Sequence, residues 1–511
     1  VCGSLLQPHI IHHVAHWFVD AGWPVRIIRC TEADENKKPE ERIFPVFAII
    51  ATKFKKMEKM KPVIEISLST EGKLMRLDKP ASLVDSVRGC QQFAALRARL
   101  AKGGADSSIE EACLQLRAED SQSVKYSLFL TERNVASNLS FAAFIVPQGR
   151  EVEWMFATAE GRRQLADSAS CQRLIVVHLG RDASFSSLET VQSELSPHIL
   201  EFCPPDLPIG YKVPFLSAGN ENVGSRVERC RGRSQISGDY VVEDVKVGNV
   251  DYRRLIFLSR PNLTQSEAVL KNKKDKNKKT TSRIVDITNL VSTYHSLMIG
   301  ALGVYLNQPP SVLIVGLGGG SLPSYIHHTF PLANVHVVEL DPAIADVASA
   351  QFAFKADDRL TLSVEDGLDF LKNTDKQFSI VMLDVDSKDI ASGMSCPPPD
   401  FVDSECLEMI RSCLVPEGMF VLNLVCRDTL LRKELMSKLT AKWNSVAAVK
   451  LEEEVNEVIF STSNRNISKS TVKQSIMNGF KLVNDHVKKS IKSKEDLIDL
   501  ESSMKMLTVG Q

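Results

Sequence analysis

The chain has 511 residues, of which 43% are hydrophobic and 24% charged, with 62 Lys and Arg against 63 Asp and Glu. That length exceeds one ordinary core and suggests about three units, while the charge balance excludes a global field drawing the protein to nucleic acid or an anionic membrane. No apolar run reaches the roughly 18 residues of a membrane-spanning helix and no signal peptide opens the chain; the eleven cysteines are scattered without metal spacing, so a cytoplasmic protein with reduced thiols is expected.

In chain order, residues 1–57 read as a helix over 8–21, a strand over 25–30, a charged hairpin over 31–42 and an apolar strand over 45–52. This is half of an α/β domain, and with Val1 in place of an initiating Met it reads as an N-terminally truncated one. His9, His12, His13 and His16 stand at helical spacings, but no acid or cysteine completes a metal site beside them, so no metal is expected. Residues 58–230 read as a mixed α/β region, with strands over 127–130, 142–146 and 174–179 and a helix over 83–101.

Residues 231–300 form a β-hairpin subdomain, its strands over 240–247 and 253–258 turned at Gly248-Asn249. Six lysines within 271–279 with no interleaved aromatic read as a disordered loop rather than a nucleic-acid patch. From 301 to 463 strands and helices alternate, which implies a parallel sheet covered on both faces. Residues 464–511 read as a helical tail; self-association is left open.

The chemistry lies in the alternating segment. A buried strand over 311–315 runs into Gly316-Leu317-Gly318-Gly319-Gly320-Ser321 and then a helix, the context of a nucleotide-binding turn. Glycines there admit the ligand to the backbone, and the helix start offers amides to a carboxylate. Gly316, Gly318 and Gly320 are therefore candidate cofactor residues. The next strand ends at Glu339, about twenty residues on, placed to accept both ribose hydroxyls. The third ends at Asp366, which suits an adenine amine and also suits capping the following helix. The fourth ends in Asp384, Asp386 and Asp389, at the carboxyl edge where ligands of open α/β sheets bind.

These motifs, with Tyr294-His295 before them, resemble the spermidine synthase family of class I transferases, and the preceding hairpin fits that family's small β domain. The resemblance implies an α/β, class I (Rossmann-like) methyltransferase-type domain behind a small β domain. Two departures stand out: the family's glycine loop carries an aspartate where Gly319 stands, and its Tyr-Gln pair is Tyr294-His295 here. Without that acid an intact cofactor carboxylate meets no like charge in the loop, which favours S-adenosylmethionine over its decarboxylated form.

With the half-domain at the N-terminus, the whole chain resembles the dual translation elongation factor 1-alpha lysine and N-terminal methyltransferases. The resemblance implies S-adenosylmethionine as cofactor and elongation factor 1-alpha as protein partner. It also implies methylation of that partner's N-terminal glycine α-amine by the C-terminal domain, with lysine methylation lost alongside the incomplete first domain. Asp384 would hold the ammonium and accept its proton, together with Asp386. Asp389, Tyr294, His295 and Phe401 would line the acceptor's path. The alternatives are aminopropyl transfer and a silent scaffold.

Overall fold

The computed structural model describes residues 2–3, 8–35, 45–53, 63–67, 74–77, 83–84, 87, 90–91, 94, 111–117, 123–133, 139–200, 202–204, 207, 211–217, 222–274, 281–306, 308–387, 393–451, 455–490 and 498–509. The chain divides into two compact units, 1–225 and 226–511.

The first unit holds two five-stranded sheets. In one, Val25–Arg29 lies between antiparallel Phe47–Ala51 and parallel Ile64–Ser67. Its core gathers Ile11, Val25, Ile27, Phe47, Ile64 and Ile66. The charged segment expected as a hairpin instead begins as the helix Thr31–Glu35, and residues 36–44 lie outside the described ones. This sheet also runs past residue 57, through Ile64–Ser67 to Met75–Leu77. Most of the helix expected over 83–101 lies outside the described residues. The other sheet is built on Leu139–Val146 and Cys171–Leu179, which pair in parallel, and its long apolar runs are buried between two clusters of side chains.

The second unit opens with five antiparallel strands, β1 (Arg226–Ser234), β2 (Gly238–Val247), β3 (Val250–Phe257), β4 (Ser266–Lys274) and β5 (Thr281–Val285), paired in sequence order. The lysine-rich segment expected as a disordered loop enters this sheet. Lys271–Lys274 extend β4 and pair with β5, Lys271 reaches Asp286 at 2.7 Å, and residues 275–280 lie outside the described ones.

A short helix, α1 (Thr293–Met298), and a 3₁₀ segment, Ile299–Tyr305, lead into the main sheet. Its elements are β6 (Ser311–Val315), α2 (Ser321–Thr329), β7 (Asn334–Glu339), α3 (Pro342–Gln351), β8 (Leu360–Val364), α4 (Gly367–Asn373), β9 (Phe378–Leu383), β10 (Met394–Cys396), α5 (Ser404–Ser412), β11 (Leu414–Cys426), α6 (Thr429–Lys442), β12 (Ser445–Lys450) and β13 (Glu457–Thr462). The strand order is β8-β7-β6-β9-β11-β13-β12, parallel from β8 to β11 and antiparallel beyond. β6 is apolar at every position after Ser311 because both its faces are covered: Val312 and Ile314 enter one core, Leu313 and Val315 the other.

The segment expected as a helical tail contributes α7 (Val472–Ser490), α8 (Leu500–Met506) and also a strand, β14 (Leu507–Val509), which pairs with β12. α7 packs on the 3₁₀ segment so closely that a Cβ on Gly303 would lie 2.2 Å from the Gly479 carbonyl oxygen and one on Gly300 2.2 Å from the Phe480 ring. The tail is thereby part of the core. Gly303→Ala should lower the unfolding free energy of this unit by about 1–3 kcal/mol through overpacking, seen as faster hydrogen exchange in β12 and β13. Unchanged exchange there would separate the tail from the domain's stability.

Candidate functional site

Parallel register brings the carboxyl ends of β6, β7 and β9 together: Val315 stands opposite Val338 and opposite Leu383. The chain leaves β6 through Gly316, whose φ is 101° and whose Cβ, if it had one, would lie 2.1 Å from the Asp384 carbonyl oxygen. Any L side chain there would both strain the turn and push the two strand ends apart. Gly318 and Gly320 also have positive φ, 53° and 77°. Gly320 occupies the N-cap of α2 with no side-chain hydrogen bond, so that end of the helix presents backbone donors.

Over these strand ends lies a cleft of about 980 Å³, roofed by Phe257, Ser259, Arg260, Leu263 and Gln265 of the small sheet's β3–β4 connection. The sheet is anchored at two points. The Gly319 amide donates to Ser266 Oγ at 2.7 Å, and Ser234 Oγ donates to Asp341 Oδ2 at 2.5 Å. Asp341, 3% exposed, also caps α3 through the Ala343 amide. Both contacts hold the roof in place over the glycine turn.

Glu339 faces the cleft with Oε2 accepting from the Leu317 amide at 2.9 Å and Oε1 from the Asp341 amide at 2.8 Å. Burial raises its pKa above the ordinary value, against the lowering effect of those amides. Leu340, an exposed apolar side chain, lies beside it on the lining. Asp366 caps α4 through the Leu368 amide at 2.8 Å and still stands on the cleft lining. The glycine turn, the fixed carboxylate of Glu339, the apolar Leu340 and Leu368 and the uncapped helix start fit the turn, ribose, base and carboxylate of S-adenosylmethionine. The cleft's charge fits too. Its lining holds the carboxylates of Glu339, Asp341, Asp366, Asp384, Asp386 and Asp400 and, among the described residues, one cationic side chain, Arg260. A cationic sulfonium is favoured there.

Asp384 is gripped from both sides. His295 Nε2 donates to Oδ2 at 2.9 Å and Asn423 Nδ2 to Oδ1 at 2.9 Å, while Asn423 Oδ1 accepts from Asn456 Nδ2 at 2.9 Å. Burial pushes its pKa up, but the hydrogen bond and charge of His295 and the Asn423 amide outweigh it and hold the group below the usual value. Asp386 is different. Burial and the neighbouring Asp384 charge lift it to about 6, opposed by Arg260, whose Nη1 stands 3.9 Å from Asp386 Oδ2.

Phe401 lines the cleft and presses on Gly367, where a Cβ would lie 3.2 Å from its ring. Tyr294 and His295 are not among the lining residues. Tyr294 packs on the core with its ring 4.3 Å from that of His295, which reaches the site through Asp384. Asp389 lies outside the described residues. Three site residues were not read from the sequence. Asn423, 3% exposed inside the apolar run of β11, carried a signal, since a buried amide needs a partner. Arg260 and Ser266 carried none, because only the folded sheet brings them over the turn.

Residues 291–458 match the spermine/spermidine synthase domain family. The chain is 39% identical over 514 residues to the eEF1A lysine and N-terminal methyltransferase of Xenopus laevis, covering 94% of this chain and 73% of that protein. It is 36% identical over 499 residues to the human protein of the same name, covering 90% and 71%. A crystal structure of human methyltransferase-like protein 13 in complex with SAH aligns with 40% of this chain and 93% of that one, at 34% identity and a TM-score of 0.36.

The opposed shifts of the two aspartates carry opposite pH signatures. Asp386 has a raised folded pKa, so its ionisation costs stability; Asp386→Asn should stabilise the unit by an amount that grows from about pH 4, where the unfolded carboxyl titrates, to about 6 and is level above. Asp384 has a lowered one, so Asp384→Asn should remove stability that is present above the unfolded value and lost in acid. Thermal unfolding at about pH 8 against about pH 4.5 checks Asp386, and at about pH 8 against about pH 2.5, below the unfolded carboxyl, checks Asp384; equal effects within either pair would contradict the assignment.

Proposed function

Because this chain belongs to the family of eEF1A lysine and N-terminal methyltransferases, and so is an S-adenosylmethionine-dependent methyltransferase, we propose that its C-terminal unit methylates the N-terminal α-amine of translation elongation factor 1-alpha, on the glycine exposed once methionine is removed. The observation that carries this is the fixed carboxylate of Asp384, held by His295 and Asn423 on the lining of the cleft.

The residues divide the work. Gly316, Gly318 and Gly320 with Glu339 and Asp366 hold the cofactor, which supplies a methyl group on a sulfonium, so that the N–C bond forms as the C–S bond breaks and its electron pair stays on sulfur. What remains for the protein is alignment and exclusion of water. Asp384, its orientation fixed by two hydrogen bonds, directs the acceptor's ammonium toward that centre. Phe401 and the roof from Phe257 to Gln265 close the sides. A chain-terminal amine titrates near 7.7–8.0 and a lysine near 10.4, so the α-amine reaches its nucleophilic form at neutral pH with much less help.

Gly319 bears on donor choice. An aspartate there would place its Cβ 3.0 Å from Phe352 and 3.0 Å from Ser266, displacing the residue that receives the Gly319 amide. With no acid in the turn itself, the carboxylate-bearing donor is favoured over an aminopropyl one.

Mass spectrometry of elongation factor 1-alpha after incubation with S-adenosylmethionine and this protein should show methyl groups on the first residue's α-amine. Asp384→Ala should lower the rate roughly 10²-fold through lost alignment of the amine. Methyl groups on lysine alone, or none despite cofactor binding, would remove this substrate.

A further inference from the structure

The cleft's carboxylates are unequally committed. Asp341 receives Ser234 and caps α3, Glu339 receives two amides, Asp366 caps α4, and Asp384 receives His295 and Asn423. Asp386 has looser company: the Ser387 amide and the Arg260 guanidinium at 3.9 Å. Arg260 is itself firmly placed. Its amide donates to the Phe257 carbonyl and its carbonyl accepts from the Leu263 amide, at 2.9 and 3.0 Å. Its Nη1 donates to the Ser387 carbonyl at 3.2 Å, and Ser387 is fixed in turn by donating its amide to the Ser395 carbonyl at 2.7 Å.

We propose that Asp386, not Asp384, receives the proton of the acceptor's ammonium, and that Arg260 is the positioning residue that keeps Asp386 ionised and turned to the cleft. The proposal rests on the methyl-transfer reading above and assigns the two neighbouring carboxylates separate tasks. One proton leaves the ammonium for an Asp386 carboxylate oxygen, freeing the nitrogen's lone pair, and passes to solvent after turnover; nothing is oxidised or reduced. Asp384 is poorly suited to this, since both its oxygens already accept hydrogen bonds and its pKa is held low. Asp386, lifted to about 6, lies within about two units of an α-ammonium, a much smaller gap than an ordinary carboxyl leaves. Among the described residues, the charged and titratable groups around Asp386 are Asp384 from the end of β9, Arg260 from the roof and the buried Cys396 thiol from β10, with Asp400 also on the cleft lining. Arg260 is the one cation among these described residues, and it opposes the burial that lifts Asp386.

The test follows the full-length protein by carboxyl carbon NMR and by the pH dependence of kcat/KM on an α-amine peptide. A carboxyl titrating near 6 should vanish in Asp386→Asn and move up by on the order of one unit in Arg260→Gln, with Arg260→Lys restoring most of the shift. The acidic limb of kcat/KM should follow it, rising in Arg260→Gln so that activity lost at neutral pH returns in base. Asp386→Asn should lower kcat at every pH, with KM for the cofactor unchanged. A carboxyl titrating in the ordinary range, or an acidic limb indifferent to Arg260, would overturn the proposal. The NMR result stands even if elongation factor 1-alpha proves not to be the acceptor, which keeps the two failures apart.

Discussion

A Cβ on Gly316 would lie 2.1 Å from the carbonyl oxygen of Asp384, and most of the site follows from that closeness. Two parallel strands, β6 and β9, are in register to their last residues, so the chain leaving β6 must turn at once, with φ positive, across the backbone of its neighbour. The same turn faces the end of β7, where Glu339 receives the Leu317 amide. The glycine turn, Glu339 and the end of β9 at Asp384 are thus brought together by one backbone contact. The small sheet then closes the arrangement through Ser266 on Gly319 and Ser234 on Asp341.

Much of this was legible because it obeys local rules. A continuous apolar run into glycines and then a helix can be read without coordinates, as can acids at successive strand ends, and Gly316, Glu339, Asp366, Asp384 and Asp386 all line the cleft. What was not legible depends on sheet topology. Arg260 and Ser266 sit in a segment that reads only as hairpin, and nothing local says which strand ends they cover. The lysine run reads as solvated because its composition is polar, yet a strand can carry exposed lysines where its side chains meet solvent, and β4 does so at Lys271 and Lys273 while pairing with β5. The tail's β14 was missed because three residues are too few for a periodicity, and its place is set by the open edge of β12.

Electrostatics separates the functional residues from their look-alikes. Of the carboxylates on the lining, Asp341 is spent on capping and inter-sheet contacts, while Asp384 and Asp386 are pushed in opposite directions by different neighbours. Two adjacent acids with diverging protonation behaviour are how a single strand end can both hold a cation and take its proton. A structural acid cluster would not require the His295, Asn423 and Asn456 chain that fixes one of them.

If Glu339 and the glycine turn hold a carboxylate-bearing sulfonium donor, calorimetric titration with S-adenosylmethionine and with its decarboxylated form will tell the two apart. S-adenosylmethionine should bind more tightly, its binding should be lost in Glu339→Ala, and the preference should weaken in Gly319→Asp. Equal or stronger binding of the decarboxylated form by the unaltered protein would contradict that assignment.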